Sequence, residues 1–266
     1  FSAQAIDGIL SGVRARLPLA SDCEVTLEAN PGTFEASKFS DFRAAGVTRL
    51  SIGVQSFNPR HLKSLGRVHD AIEARRAIES AARSFDNINL DLMYALPGQS
   101  LDEALEDARE AVQWNTTHLS FYHLTIEPDT VFHRRPPVIP DADAAAAIED
   151  EVHQTLRSAG FDQYETSAFA RGGRRCRHNL NYWEFGDYLG LGAGAHSKLS
   201  FPDRIVRQTR TRQPREYLKR VAAGKPLQEE KQVLRADAIF EFMMNALRLS
   251  AGFPVSLFSE RTGLPI

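Results

Sequence analysis

Three short aliphatic runs, Glu24 to Ala29, Leu50 to Gln55 and Ile88 to Tyr94, recur at the front of the chain with helical patterns between them. A fourth, Leu119 to Thr125, follows the next helical stretch. Strands alternating with helices are the mark of βαβ units, whose crossovers build a parallel sheet covered or closed by helices. Inside the runs the side chains also alternate. Val25, Leu27 and Ala29 oppose Thr26 and Glu28; Ile52 and Val54 oppose Ser51, Gly53 and Gln55; Leu90 and Leu92 oppose Asn89, Asp91 and Met93. Successive residues of a strand point to opposite faces, so each run offers one aliphatic face to the helices and one polar face.

Helix starts are written as clearly. Asp70-Ala71-Ile72-Glu73 and Ser100-Leu101-Asp102-Glu103 each set a capping acceptor three residues before a Glu, the arrangement in which cap and Glu satisfy each other's backbone N–H. The second helix runs through Leu101, Leu105, Ala108 and Val112 and ends near Trp114. Ser2 with Ile6, Ile9, Leu10 and Val13 predicts an amphipathic helix that begins at once behind Phe1, which points to a parent chain with elements in front of it. After Pro128 the pattern breaks: Arg134-Arg135-Pro136-Pro137 and Ile139-Pro140 exclude regular helix, because proline removes a donor and restricts the residue before it. The domain boundary is expected there, giving residues 1–130 and 131–266. Beyond it come an Ala-rich helix from about Asp141 to Ser158 stopped by Gly160, a strand-like Tyr164 to Phe169, a basic turn and a Gly-rich stretch. Helices near Pro214 to Ala223 and Ala236 to Leu249 follow, and Pro254 to Ile266 reads as the start of another helical unit. The fold class expected is α/β: a partial (β/α)6 barrel lacking its first strands, then a smaller α+β domain truncated at its end.

Composition narrows the partners. With 266 residues, 42% hydrophobic and 25% charged, the chain can bury a sizeable core, and a net charge of −2 gives no reason to expect nucleic acid. The arginines around Cys176 lack an aromatic platform for bases. No apolar run approaches the roughly 20 residues of a membrane span, and no signal peptide opens the sequence. A cytoplasmic location is expected, with peripheral membrane contact left open and the oligomeric state unspecified. Cys23 and Cys176 are the only cysteines, too few for a disulfide framework or a Cys-only metal site.

In a barrel the polar strand faces point inward, so Glu28, Gln55 and Asp91 are expected to converge at the C-terminal mouth, where barrel enzymes bind ligands. Each alone reads equally well as a barrel-layer residue bonded to its neighbours. All three, each followed by a turn, indicate a pocket for a ligand with hydroxyl and amino groups. Gly190-Leu191-Gly192-Ala193-Gly194-Ala195 fits a dinucleotide fingerprint in letters only, since no helix of a βαβ unit follows and no acidic residue ends a strand about 20 residues on.

Leu27-Glu28-Ala29-Asn30-Pro31, Gly53-Val54-Gln55-Ser56-Phe57, Leu65-Gly66-Arg67-Val68-His69 and Leu90-Asp91-Leu92-Met93-Tyr94-Ala95-Leu96-Pro97-Gly98 resemble, in order and spacing, successive motifs of the oxygen-independent coproporphyrinogen III oxidase family. Tyr122-His123-Leu124-Thr125-Ile126-Glu127-Pro128 and His178-Asn179-Leu180-Asn181-Tyr182-Trp183 resemble more closely the signatures of its heme-chaperone branch. The resemblance implies a radical S-adenosylmethionine (SAM) barrel, with a [4Fe-4S] cluster held by a C-x3-C-x2-C loop and with Glu28, Gln55, Arg67 and Asp91 as SAM contacts. Arg67 suits the methionyl carboxylate, because a guanidinium offers a planar two-donor fork. It further implies heme at His178 and Tyr182, where a neutral imidazole can ligate iron, and a Gly-rich loop from Tyr188 to Ser197 beside SAM. No C-x3-C-x2-C occurs, so no metal ligand is assigned in this chain. The cluster is expected only in a full-length protein, and reductive cleavage of SAM is not expected of the chain alone. The function expected is heme binding and transfer to an acceptor protein. The alternatives are oxidative decarboxylation of a porphyrinogen by the oxidase itself, or a non-radical barrel enzyme or binding module for a sugar phosphate.

Overall fold

The four aliphatic runs form four parallel strands, β1 (Thr26–Ala29), β2 (Arg49–Gln55), β3 (Ile88–Tyr94) and β4 (His118–His123). Their register aligns polar residues across the sheet: Glu28 pairs with Ser51, Ser51 with Asn89, Asn89 with His118, and Asp91 with Ser120. On the other face Leu50, Ile52, Leu90, Leu92, Leu119 and Phe121 are buried. They form one core with Ala74, Ala77, Ile78 and Ala81 of the helix Ala71–Ala82 and with Ala104, Leu105, Ala108 and Ala111 of Leu101–Gln113. The small alanines let the helices lie close on the strands, and burying an aliphatic side chain there contributes about 2 kcal/mol. Both predicted capping boxes are formed, from Asp70 to Glu73 and from Ser100 to Glu103.

This computed structural model describes residues 1–32 and 38–265, so Ile266 at the end of the last predicted helical unit lies outside the described residues. Two compact units result, Phe1–Arg175 and Cys176–Ile266. The first division therefore falls well past the proline-rich segment marked by the sequence. The cause is that β5 (Asp162–Glu165) and β6 (Ala168–Ala170) continue the first sheet, in the order β1-β2-β3-β4-β6-β5, with β6 antiparallel to β4. The helix Ala142–Ser158, capped by Asp141 and followed by Gly160 at φ +83°, packs Ile148, Val152 and Leu156 into the same core. The proline run is thus a surface excursion within one unit. The first helix, Ala3–Arg14, is capped by Ser2 as expected, yet buries no residue fully and leaves Ile9 exposed.

The second unit holds an antiparallel sheet of β7 (His196–Ser200), β8 (Ile205–Arg210) and β9 (Leu227–Gln232). Its core gathers Phe185, Ile205, Ala238, Phe242, Ala246 and Phe258, with Phe242 meeting three aromatic rings edge-on at 5.1 to 5.9 Å. Lys198 is buried in it, its Nζ donating to Asp187 Oδ1 at 2.9 Å and standing over the Phe185 ring.

Candidate functional site

The C-terminal ends of β1, β2 and β3 enclose a hollow of about 300 Å³ lined by Glu28, Ala29, Asn30, Ser51, Gly53, Gln55 and Asp91. Glu28, Gln55 and Asp91, the three strand-end residues singled out in the sequence, therefore line one space. Its volume is at the small end for a ligand pocket, and its polar groups are chiefly acceptors. Two of the lining side chains are carboxylates and none is a cation, so a ligand with hydroxyl and cationic groups matches it in sign.

Gln55 ends β2 at φ +69°, a left-handed conformation that an L-residue adopts at a cost of about 1 kcal/mol. The turn behind it is bolted down by Asp107, a residue that no sequence pattern singles out. Ser56 Oγ donates to Asp107 Oδ2 at 2.6 Å, and the Phe57 N–H donates to Oδ1 at 2.7 Å. Burial pushes the Asp107 carboxyl up to about 6, against the two hydrogen bonds, which favour the charged form. Gly53 makes room for the Gln55 carboxamide: a Cβ there would stand 2.9 Å from its Nε2.

Asp91 accepts from Ser51 Oγ at 2.8 Å on one oxygen and from Asn89 Nδ2 at 2.8 Å on the other. Burial raises its pKa above the ordinary carboxylate range; the two hydrogen bonds and Arg49 oppose this, and the Glu28 charge adds to it. Arg67 is exposed in the loop after the helix Pro59–Ser64 and is not among the residues lining the hollow. That loop is tied back to β2 by His69, whose Nε2 lies 3.2 Å from the Val54 carbonyl oxygen.

His178 and Tyr182 lie on the helix Arg177–Trp183 of the second unit, one turn apart and both exposed. The His178 ring nitrogen Nδ1 is 3.2 Å from Cys176 Sγ, and the Tyr182 ring meets Tyr188 edge-on at 4.6 Å. Asn181 between them donates through Nδ2 to the Asp187 carbonyl, and Gly186 packs so tightly on it that any Cβ would stand 2.0 Å from its Oδ1. The glycine run at 190–195 leads into β7 rather than a helix, and the Gly190 N–H donates to Ser197 Oγ. The dinucleotide reading fails on that connection.

The Radical SAM superfamily model matches residues 5–111, and the HemN C-terminal domain model matches 233–266. The heme chaperone HemW of Escherichia coli (strain K12) is 54% identical over 99% of this chain and 69% of its own length. That of Haemophilus influenzae is 48% identical over 99% of this chain and 68% of its own. Among solved structures, the E. coli radical SAM enzyme coproporphyrinogen III oxidase (HemN) superposes with a TM-score of 0.79 at 21% identity, covering 99% of this chain and 64% of that one. At that identity the likeness carries the fold alone. These matches set aside the reading as a non-radical barrel. Among the described residues no helix is long and apolar enough to cross a membrane.

Proposed function

The chain belongs to the HemW family of heme chaperones in the radical SAM superfamily, and we propose that it binds heme at His178 and Tyr182 and passes it to an acceptor protein. The observation that carries this reading is an exposed His and Tyr on one turn of helix in a chain 54% identical to a named heme chaperone. An imidazole held outside the core can reach an iron without local unfolding. The neighbouring turn, fixed by Asn181 and Gly186, gives the helix one orientation from which to present it.

The hollow at the strand ends is read as the SAM site. Glu28, Gln55 and Asp91 accept from the adenosyl hydroxyl and amino groups, and the two carboxylates in a lining without a cation favour the sulfonium and ammonium charges. We propose Arg67, which is exposed and does not line the hollow, for the methionyl carboxylate. SAM with a [4Fe-4S] cluster supplies radical chemistry when both are bound. Cys23 and Cys176 do not provide the three thiolates of a C-x3-C-x2-C loop, so the residues present do not fit the cluster and no step is drawn through it. We propose that the protein acts in the cytoplasm.

Hemin titration followed by the Soret band tests the heme assignment. Wild type is expected to give a saturable shifted band that His178→Ala abolishes and Tyr182→Phe weakens. Equal titrations for all three proteins would overturn it.

A further inference from the structure

Behind Asp91 a line of hydrogen bonds runs across the sheet interior. Asn89 is the junction. Its Nδ2 donates to Asp91 Oδ1 at 2.8 Å and to Ser51 Oγ at 2.7 Å, while its Oδ1 accepts from Ser120 Oγ at 3.1 Å and lies 2.6 Å from His118 Nδ1. An amide oxygen can only accept, so the proton of the last contact sits on His118 Nδ1. His118 Nε2 is then a lone pair, and Tyr164 OH, 2.8 Å away, donates to it. Every hydrogen bond along Tyr164, His118, Asn89 and Asp91 thus points the same way, toward the carboxylate. A flipped Asn89 would set its oxygen against the Asp91 carboxylate whichever tautomer His118 takes, and Asn89 is buried away from water that could relieve it.

The consequence lies in what remains on Asp91. A carboxylate has about four lone-pair sites. One on each oxygen is taken, by Ser51 and by Asn89, which leaves each oxygen a site for the hollow that Asp91 lines. We infer that Asn89 and His118 are positioning residues that hold Asp91 as a paired acceptor for a vicinal diol, so that the hollow selects ribosyl over deoxyribosyl ligands. This deepens the adenosyl reading and rests on it. The groups that face Asp91 are Ser51, Asn89, Glu28 and Arg49; among these, only Glu28 and Arg49 carry charge.

The test is calorimetric titration of this chain with S-adenosylhomocysteine, and with adenosine against 2′,3′-dideoxyadenosine. Asn89→Leu and His118→Phe are expected to weaken S-adenosylhomocysteine roughly tenfold, as for one or two lost hydrogen bonds to a charged group. His118→Asn, whose amide N–H stands where the imidazole Nδ1–H does, is expected to restore most of the affinity. Tyr164→Phe removes a single hydroxyl and is the variant least disturbing to packing; a loss of roughly threefold is expected. The preference for adenosine over its dideoxy analogue should shrink in Asn89→Leu, His118→Phe and Tyr164→Phe, which a merely structural role would not bring about. A preference unchanged in folded Tyr164→Phe and Asn89→Leu, while Asp91→Ala abolishes binding, would overturn the inference and leave the adenosyl site standing. Wild-type binding that is indifferent to Asp91→Ala would overturn both.

Discussion

Asp107 offers the sharpest test of how the site is built. Truncation to alanine leaves the Phe57 N–H and the Ser56 hydroxyl buried without their acceptor. Each orphaned group costs about 1–3 kcal/mol, so Asp107→Ala should lose about 2–5 kcal/mol of stability. The proton adds a second signature. The carboxyl sits at about 6 in the fold against an ordinary 3.8, so between those values the folded protein binds more protons than the unfolded chain. Its contribution to stability is complete below about 3.8 and is lost as pH rises to about 6, a decline of roughly 3 kcal/mol by linkage. Asp107→Asn carries no such proton. Urea unfolding followed by circular dichroism, from pH 4 to pH 7.5, should therefore show wild type losing stability relative to Asp107→Asn as pH rises. The reasoning is refuted if that difference is flat or has the opposite slope, or if Asp107→Ala costs less than about 1 kcal/mol.

Two further outcomes follow from single contacts. Gly53→Ala should displace the Gln55 carboxamide and weaken S-adenosylhomocysteine about tenfold while the melting temperature barely moves, since the added methyl meets only a flexible side-chain end; unchanged affinity in calorimetry would show that Gln55 is not held by that space. In the second unit Asp187→Ala leaves the buried Lys198 ammonium with Ser200 Oγ but without its carboxylate, and should cost about 3 kcal/mol in chemical denaturation, most of it recovered in Asp187→Ala with Lys198→Met; a double variant no better than the single one would count against a charge origin.

What the sequence made legible was whatever local pattern specifies. Period-two alternation located β1 to β4 and the polar faces of the first three, and the spacing of Asp70 to Glu73 and Ser100 to Glu103 marked two helix starts. The convergence of Glu28, Gln55 and Asp91 followed from the barrel rule that polar strand ends share a mouth. What depended on partners distant in sequence stayed hidden. Asp107 lies on the buried face of its helix beside Ala104 and Ala111, and its partners, the turn at Ser56 and Phe57, are some fifty residues away in sequence. His118 lies on β4 and Tyr164 on β5, joined through β6, which pairs antiparallel with both, so their contact needs a register that no local pattern encodes. Strand β9 reads Leu-Gln-Glu-Glu-Lys-Gln and is almost wholly exposed; it is set by pairing with β8, without apolar alternation. Tyr164 to Phe169 read as one strand is in fact β5 and β6, turned back at Thr166 and Ser167.

Three strand ends are proposed to hold one adenosyl ligand. Calorimetric titration of S-adenosylhomocysteine into wild type, Glu28→Ala, Gln55→Ala and Asp91→Ala tests it most directly. Each substitution alone is expected to weaken binding by about tenfold or more, with folding by circular dichroism intact. Affinity in all three variants equal to that of wild type would contradict it.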